Sequence, residues 1–100
     1  MKIIYTTLNN KDEARKIGTK LLKNKLANCV NFFDITCIYN YEDEITEEPE
    51  VVLLIKTLEG KFSEIESVIK SEIDYDNFIG ELDVKQVNSN FEGWLCSIVK

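Results

Sequence analysis

Three cysteines and a surplus of carboxylates are the chemistry-bearing residues of this 100-residue chain, which has no histidine. Thiolates are soft ligands of the kind Cu(I) selects, whereas carboxylates suit hard cations. The cysteines, Cys29, Cys37 and Cys96, are odd in number and show no CxxC spacing, which argues against a disulfide framework and against a zinc finger. On one continuous strand, the eight residues from Cys29 to Cys37 span about 26 Å, far beyond the roughly 4.4 to 6.8 Å between the Cα atoms of a disulfide. Only contacts between subunits, or a sharp break in the strand, could bring these two thiols together. The acidic run Glu42, Asp43, Glu44, Glu47, Glu48 and Glu50 can attract hard cations. It lacks the spaced ligands and turn glycine of a calcium loop and reads first as a solvated hairpin tip. Catalysis finds little footing, with no imidazole base, no glycine-rich phosphate loop and no Ser–His pair. Neither an enzyme nor an organic cofactor is expected.

The elements that must position these residues are organised around the stretch from Cys29 to Thr57. Cys29 to Tyr41 and Ile45 to Thr57 are rich in Val, Ile, Thr, Phe and Tyr, a composition suited to strands. They are joined at Glu42-Asp43. Thirteen extended residues reach about 43 Å, against a usual strand of about 5 or 6 residues. Such a hairpin should project beyond a small domain, and its free edge invites pairing with another chain. A symmetric homo-oligomer assembled through the hairpin is the physical expectation. Val51 to Ile55 is apolar at every position, so that strand should be buried on both faces.

Before the hairpin, Lys2 to Leu8 reads as a strand, and Asn10 with Glu13 resembles a capping box. Ala14, Ile17, Leu21, Leu22 and Leu26 then recur at helical spacing, giving a helix from about Lys11 to Lys25. Gly18 inside it implies close packing on the sheet. After the hairpin, Thr57 is the expected cap of a second helix carrying Phe62, Ile65, Val68, Ile69 and Ile73 and ending near Glu72. Asp74 to Gly80 reads as a loop, Phe78 to Val84 as a fourth strand, and Asn88 or Ser89 as the start of a last helix, with Ser89 and Glu92 at capping-box spacing. Phe91, Trp94, Leu95, Ile98 and Val99 form the expected buried stripe of that helix, with Trp94 as a core anchor. Cys37 and Cys96 read as packing residues. Right-handed crossovers make each strand–helix–strand unit a parallel pair. The order predicts an α+β, ferredoxin-like βαββαβ fold with one added C-terminal helix, as one domain over 1–100.

The formal charge of −6 with scattered lysines leaves no footprint for nucleic acid or an anionic membrane. No apolar run approaches the ~20 residues of a membrane span. The first ten residues turn polar too soon for a signal peptide, so a cytoplasmic location is expected.

Tyr5-Thr6-Thr7, Lys25-Leu26-Ala27, Cys29-Val30-Asn31, Ile38-Tyr39, Ile45, Glu50-Val51, Ile55-Lys56-Thr57, Tyr75 and Trp94, in that order, carry a resemblance. Through them the chain resembles the CutA family of divalent-cation tolerance proteins. The resemblance implies a ferredoxin-like subunit in a homotrimer, associated with tolerance to copper and other divalent cations. It also implies structural similarity to the PII signalling proteins, which bind small effectors between subunits. A PII-like interaction module is therefore the alternative function. The chain departs from the family pattern at Asn40, Tyr41 and Asp43, where two Trp and a Gly are usual. It departs again from Ile73 to Phe78, where a His-Pro-Tyr-Glu element is usual, and so lacks that neutral nitrogen ligand. Cys29 is the first candidate ligand, and Glu50, Tyr75 and Asp76 stand at matching family positions. If these converge in a subunit cleft, they could hold copper or another divalent cation weakly, with Lys56 beside Cys29 favouring the thiolate. The competing reading keeps Cys29 as a small buried hydrophobe and Lys56 as a strand-end charge in solvent.

Overall fold

The computed structural model describes every residue from 1 to 100. Seven elements follow in chain order: β1 (Lys2–Leu8), α1 (Lys11–Lys23), β2 (Cys29–Tyr41), β3 (Glu44–Thr57), α2 (Phe62–Glu72), β4 (Ile79–Asp83) and α3 (Ser89–Ile98). The strands form one sheet in the order β2-β3-β1-β4, and every hydrogen-bonded pair is antiparallel. The expected parallel pairs are therefore not neighbours. β1 and β2 run the same way with β3 between them, as do β3 and β4 with β1 between them. A helix about 10 Å across covers about two strand spacings, so a crossover that skips one strand seats its helix squarely on the sheet. This is the ferredoxin-like arrangement with an added helix.

Local chemistry explains most boundaries. Asn10 Oδ1 accepts from the Glu13 backbone N–H at 2.9 Å, and Glu13 Oε1 accepts from the Asn9 N–H at 3.0 Å, which starts α1. α1 ends two residues earlier than its periodicity suggests, because Lys25 adopts a left-handed φ of 58°. Lys25 N–H then bonds Leu22 O and Leu26 N–H bonds Leu21 O, a Schellman closure with Leu21 and Leu26 both buried. Thr57 does not cap α2. It is the last residue of β3, and its hydroxyl donates to Leu26 O at 2.6 Å, while α2 begins after Lys61 without a side-chain cap. The Ser89–Glu92 capping box does not form either; Asn88 precedes α3, again without a side-chain cap. Gly18 is required by packing, since a Cβ there would lie 2.8 Å from Val30 Cγ2 on β2.

The core lies between the sheet and the α1/α2 layer, where Ile4, Leu8, Ile17, Leu21, Leu53, Ile55, Ile65 and Ile69 are fully or almost fully buried. Glu72 fastens the two helices together, its oxygens each 3.1 Å from Lys16 Nζ and Lys20 Nζ. Hydrogen bonds from Lys20 and Lys16 hold its carboxyl below the ordinary value of 4.5. A depressed carboxylate stabilises the fold above its unfolded pKa, and that contribution disappears as pH falls through the folded value. Glu72→Gln is therefore expected to be less stable than the native chain at neutral pH and to converge with it as pH falls below the ordinary carboxylate range and through the lowered folded value. Urea denaturation at several pH values checks this; a constant difference down to acid pH would contradict it.

The hairpin turns at Glu42 and Asp43, both with positive φ (50° and 65°), the signature of a two-residue type I′ turn. Beyond the Leu8↔Val51 pair β3 has lost β1, so the hairpin continues as a bare two-stranded ribbon. Pro49 sits in that ribbon, where one edge of β3 has no strand to bond. The molecule measures 47 × 27 × 21 Å, with a radius of gyration of 14.4 Å against about 13 Å for a compact chain of this length. On β3, Val51, Leu53 and Ile55 face the helices, and Val52 is buried on the opposite face, but Leu54 stays partly open. α3 lies over that opposite face, where the Phe91 ring centroid is 5.4 Å from Lys56 Nζ. Leu95 and Val99 are buried, whereas Trp94 is 49% exposed and Cys96 is exposed, so neither is the packing residue expected. Trp94 instead stacks edge-on against Phe91 at 5.5 Å.

Candidate functional site

The pairing register decides which reactive side chains meet. Cys29 stands opposite Lys56, Ile35 opposite Glu50, Cys37 opposite Glu48 and Tyr39 opposite Thr46. Directly opposed residues share a face, so all of these lie on the side away from α1 and α2. Where β1 ends, the segment after α2 crosses the corner of this face. Together they line a groove that includes Cys37, Tyr39, Glu48, Glu50, Tyr75 and Asp76. Three carboxylates line it, and no lysine or arginine does.

Of the residues singled out from sequence, Glu50, Tyr75 and Asp76 come together here. Cys29 does not join them within one protomer. It lies six pairs farther along the hairpin, about 20 Å away at strand spacing. Lys56 Nζ donates to Cys29 Sγ at 3.7 Å, so Lys56 is neither free nor fully solvated. The thiol that does enter the groove is Cys37, which reads from sequence as a packing residue. Placing the turn at Glu42-Asp43 sets Cys37 opposite Glu48, and that register was the available signal.

The electrostatics of the groove are one-sided. Burial pushes the Cys37 thiol up, reinforced by the Glu50 and Glu48 carboxylates. Burial likewise pushes the Tyr39 phenol up, aided by the Glu48 carboxylate nearby. Both shifts favour the neutral forms, beside carboxylates that have no lysine or arginine next to them in the groove. Tyr75 is raised as well, first by burial and then by its bond to Glu13. Its hydroxyl donates to Glu13 Oε1 at 2.6 Å and accepts from the Asn9 N–H at 3.2 Å. Tyr75 thus lines the groove with its oxygen already engaged. Within one protomer no three Cys, Asp or Glu side chains converge closely enough to hold a metal ion. A cation here would take one or two carboxylates and complete its shell with water or with a neighbouring copy.

The profile of the CutA1 divalent ion tolerance protein matches residues 2–97. The chain belongs to the CutA1 family. The divalent-cation tolerance protein CutA of Pyrococcus horikoshii is 35% identical over 101 residues, spanning 100% of this chain and 99% of that one. The structure of the periplasmic divalent cation tolerance protein CutA from Archaeoglobus fulgidus superposes with a TM-score of 0.94 at 30% identity, covering both chains completely. A chloroplastic CutA 1 from rice is 28% identical over 93% of this chain, which covers 54% of the rice protein. These likenesses settle the α+β CutA fold and membership of a family named for divalent-cation tolerance. CutA1 proteins are named for that tolerance and not for a reaction. No helix of the chain is long and apolar enough to cross a membrane.

Proposed function

We propose that this CutA-family chain acts in divalent-cation tolerance as a homotrimer that binds a copper-like ion weakly in the grooves beside the hairpins. The observation that carries the reading is the groove itself. It gathers Glu48, Glu50 and Asp76 with the Cys37 thiol, and no basic side chain offsets their charge. Carboxylates favour a divalent ion by charge, and an adjacent thiol adds preference for a soft one. Two features support assembly. The ribbon beyond β1 exposes Ile38 (66%) and Ile45 (79%), and β2 and β4 are free sheet edges. A neighbour covering this region would also bring the remaining ligands that one protomer lacks.

Calorimetric titration of the reduced protein with Cu(II) and with Cu(I) tests the site. Weak binding is expected in both cases, reduced at least about tenfold for Cu(II) by Glu50→Gln combined with Asp76→Asn. Cys37→Ala should act chiefly on Cu(I). Cys29→Ala should leave both isotherms unchanged, and a loss there would move the thiol ligand to Cys29. Absence of binding in the native chain would remove direct ion capture.

A further inference from the structure

Of the three free thiols, only Cys29 has an amine in hydrogen-bonding contact: Lys56 Nζ lies 3.7 Å from its Sγ, and the two residues stand directly opposite on β2 and β3. Neither belongs to the groove beside the hairpin. Lys56 takes part in no ion pair of the chain. Its other neighbour is the Phe91 ring, with the centroid 5.4 Å from Nζ. Both members of the pair are half-buried, and a cavity of about 280 Å³ lined by Lys56, Gln86, Asn88 and Phe91 opens on the lysine. A partly exposed thiol beside a cation that no carboxylate neutralises is the setting in which cysteines react.

We propose that Cys29 and Lys56 form a reversible sulfur–nitrogen cross-link when a hydroperoxide oxidises the thiol. In the first step the Cys29 sulfur takes one peroxide oxygen, giving the sulfenic acid and releasing the other oxygen as water. A sulfenic acid condenses with a second thiol or with a nitrogen. Cys37 is about 26 Å away along the same strand, and Cys96 is exposed on α3, so the nitrogen within reach is that of Lys56. In the second step this nitrogen attacks the sulfur. The S–N bond forms as the S–O bond breaks, and the ammonium gives up two protons, one leaving with the oxygen as water and one going to solvent. Near-attack geometry places reacting atoms about 3–3.5 Å apart, so from 3.7 Å the flexible lysine stem has little distance to close. Two equivalents of a small thiol reverse the link, regenerating thiol and amine and leaving their own disulfide. The linked nitrogen is neutral, so oxidation also removes the cation beneath Phe91 and loosens the first turn of α3 from the sheet. The pair is a peroxide-responsive switch at the foot of that helix.

The test treats the reduced full-length chain with hydrogen peroxide and maps it by trypsin and mass spectrometry without reduction. Cleavage after Lys56 should fail, leaving a peptide of residues 26–61 that is two hydrogens lighter than its reduced form. Dithiothreitol should restore both the mass and the cleavage. Cys29→Ser and Lys56→Arg should each abolish the linked peptide. In Lys56→Arg, which keeps the charge without the amine, Cys29 should run on to the sulfinic acid. A peptide equally light but still cleaved after Lys56 is a Cys29–Cys37 disulfide, and it overturns the proposal. So does a native chain whose Cys29 becomes sulfinic acid with Lys56 cleaved normally, or stays a free thiol at a peroxide dose that oxidises Cys96.

Discussion

Leu53→Ala is expected to destabilise the protein by about 2–5 kcal/mol, which is a large share of the roughly 5–15 kcal/mol that holds a typical domain folded. Leu53 is fully buried in the half of β3 that pairs with β1, opposite Thr6 on one side and Phe32 on the other. Its Cδ1 also lies near the open side of Gly18, so α1, β1 and β2 all meet at this side chain. The loss combines the transfer free energy of the removed carbons with a cavity that three rigid neighbours cannot close. Equilibrium unfolding in urea at fixed protein concentration measures it; fixing the concentration matters because assembly adds to apparent stability. A change below about 1 kcal/mol would mean that the sheet and α1 collapse into the space, contrary to the tight approach at Gly18.

The second large effect concerns assembly and not folding. Ile45→Asp is expected to convert the proposed homotrimer into a folded monomer at micromolar concentration. Ile45 and its diagonal neighbour Ile38 share the helix side of the ribbon, beyond the reach of α1 and α2. Burying each such side chain against another copy contributes about 1.5–3 kcal/mol, repeated at every interface of a closed ring. A carboxylate put there must be desolvated without a partner. Because Ile45 touches so little of its own chain, far-ultraviolet circular dichroism should stay native while sedimentation shows dissociation. A variant that remains trimeric would place the interface elsewhere on the chain.

Much of this arrangement is legible in the residues. Element order follows from the switch between period-2 and period-3.6 apolar spacing, and the reversal at Glu42-Asp43 follows from two short acidic residues between long β-rich runs. What escapes is set by contacts far apart in the chain. Thr57 looks like a helix cap, yet its hydroxyl is taken by Leu26 O from the other end of α1. Trp94 fits the apolar spacing of α3, but that helix presents only Leu95 and Val99 fully inward. Tyr75 stands at a plausible ligand position, and nothing nearby in sequence reveals that Glu13 holds its hydroxyl. The split between Cys29 and Cys37 needed no structure, only the residue-by-residue pairing that a two-residue turn imposes.

The alternation along β3 has a further consequence. Odd-numbered positions from Val51 to Thr57 meet the helices, while Glu50, Val52, Leu54 and Lys56 look the other way. One short run of codons therefore answers to two separate selections at every second step. The helix-facing letters can hold still for solubility and lifetime while their immediate neighbours drift toward a different ion, a different companion surface, or none.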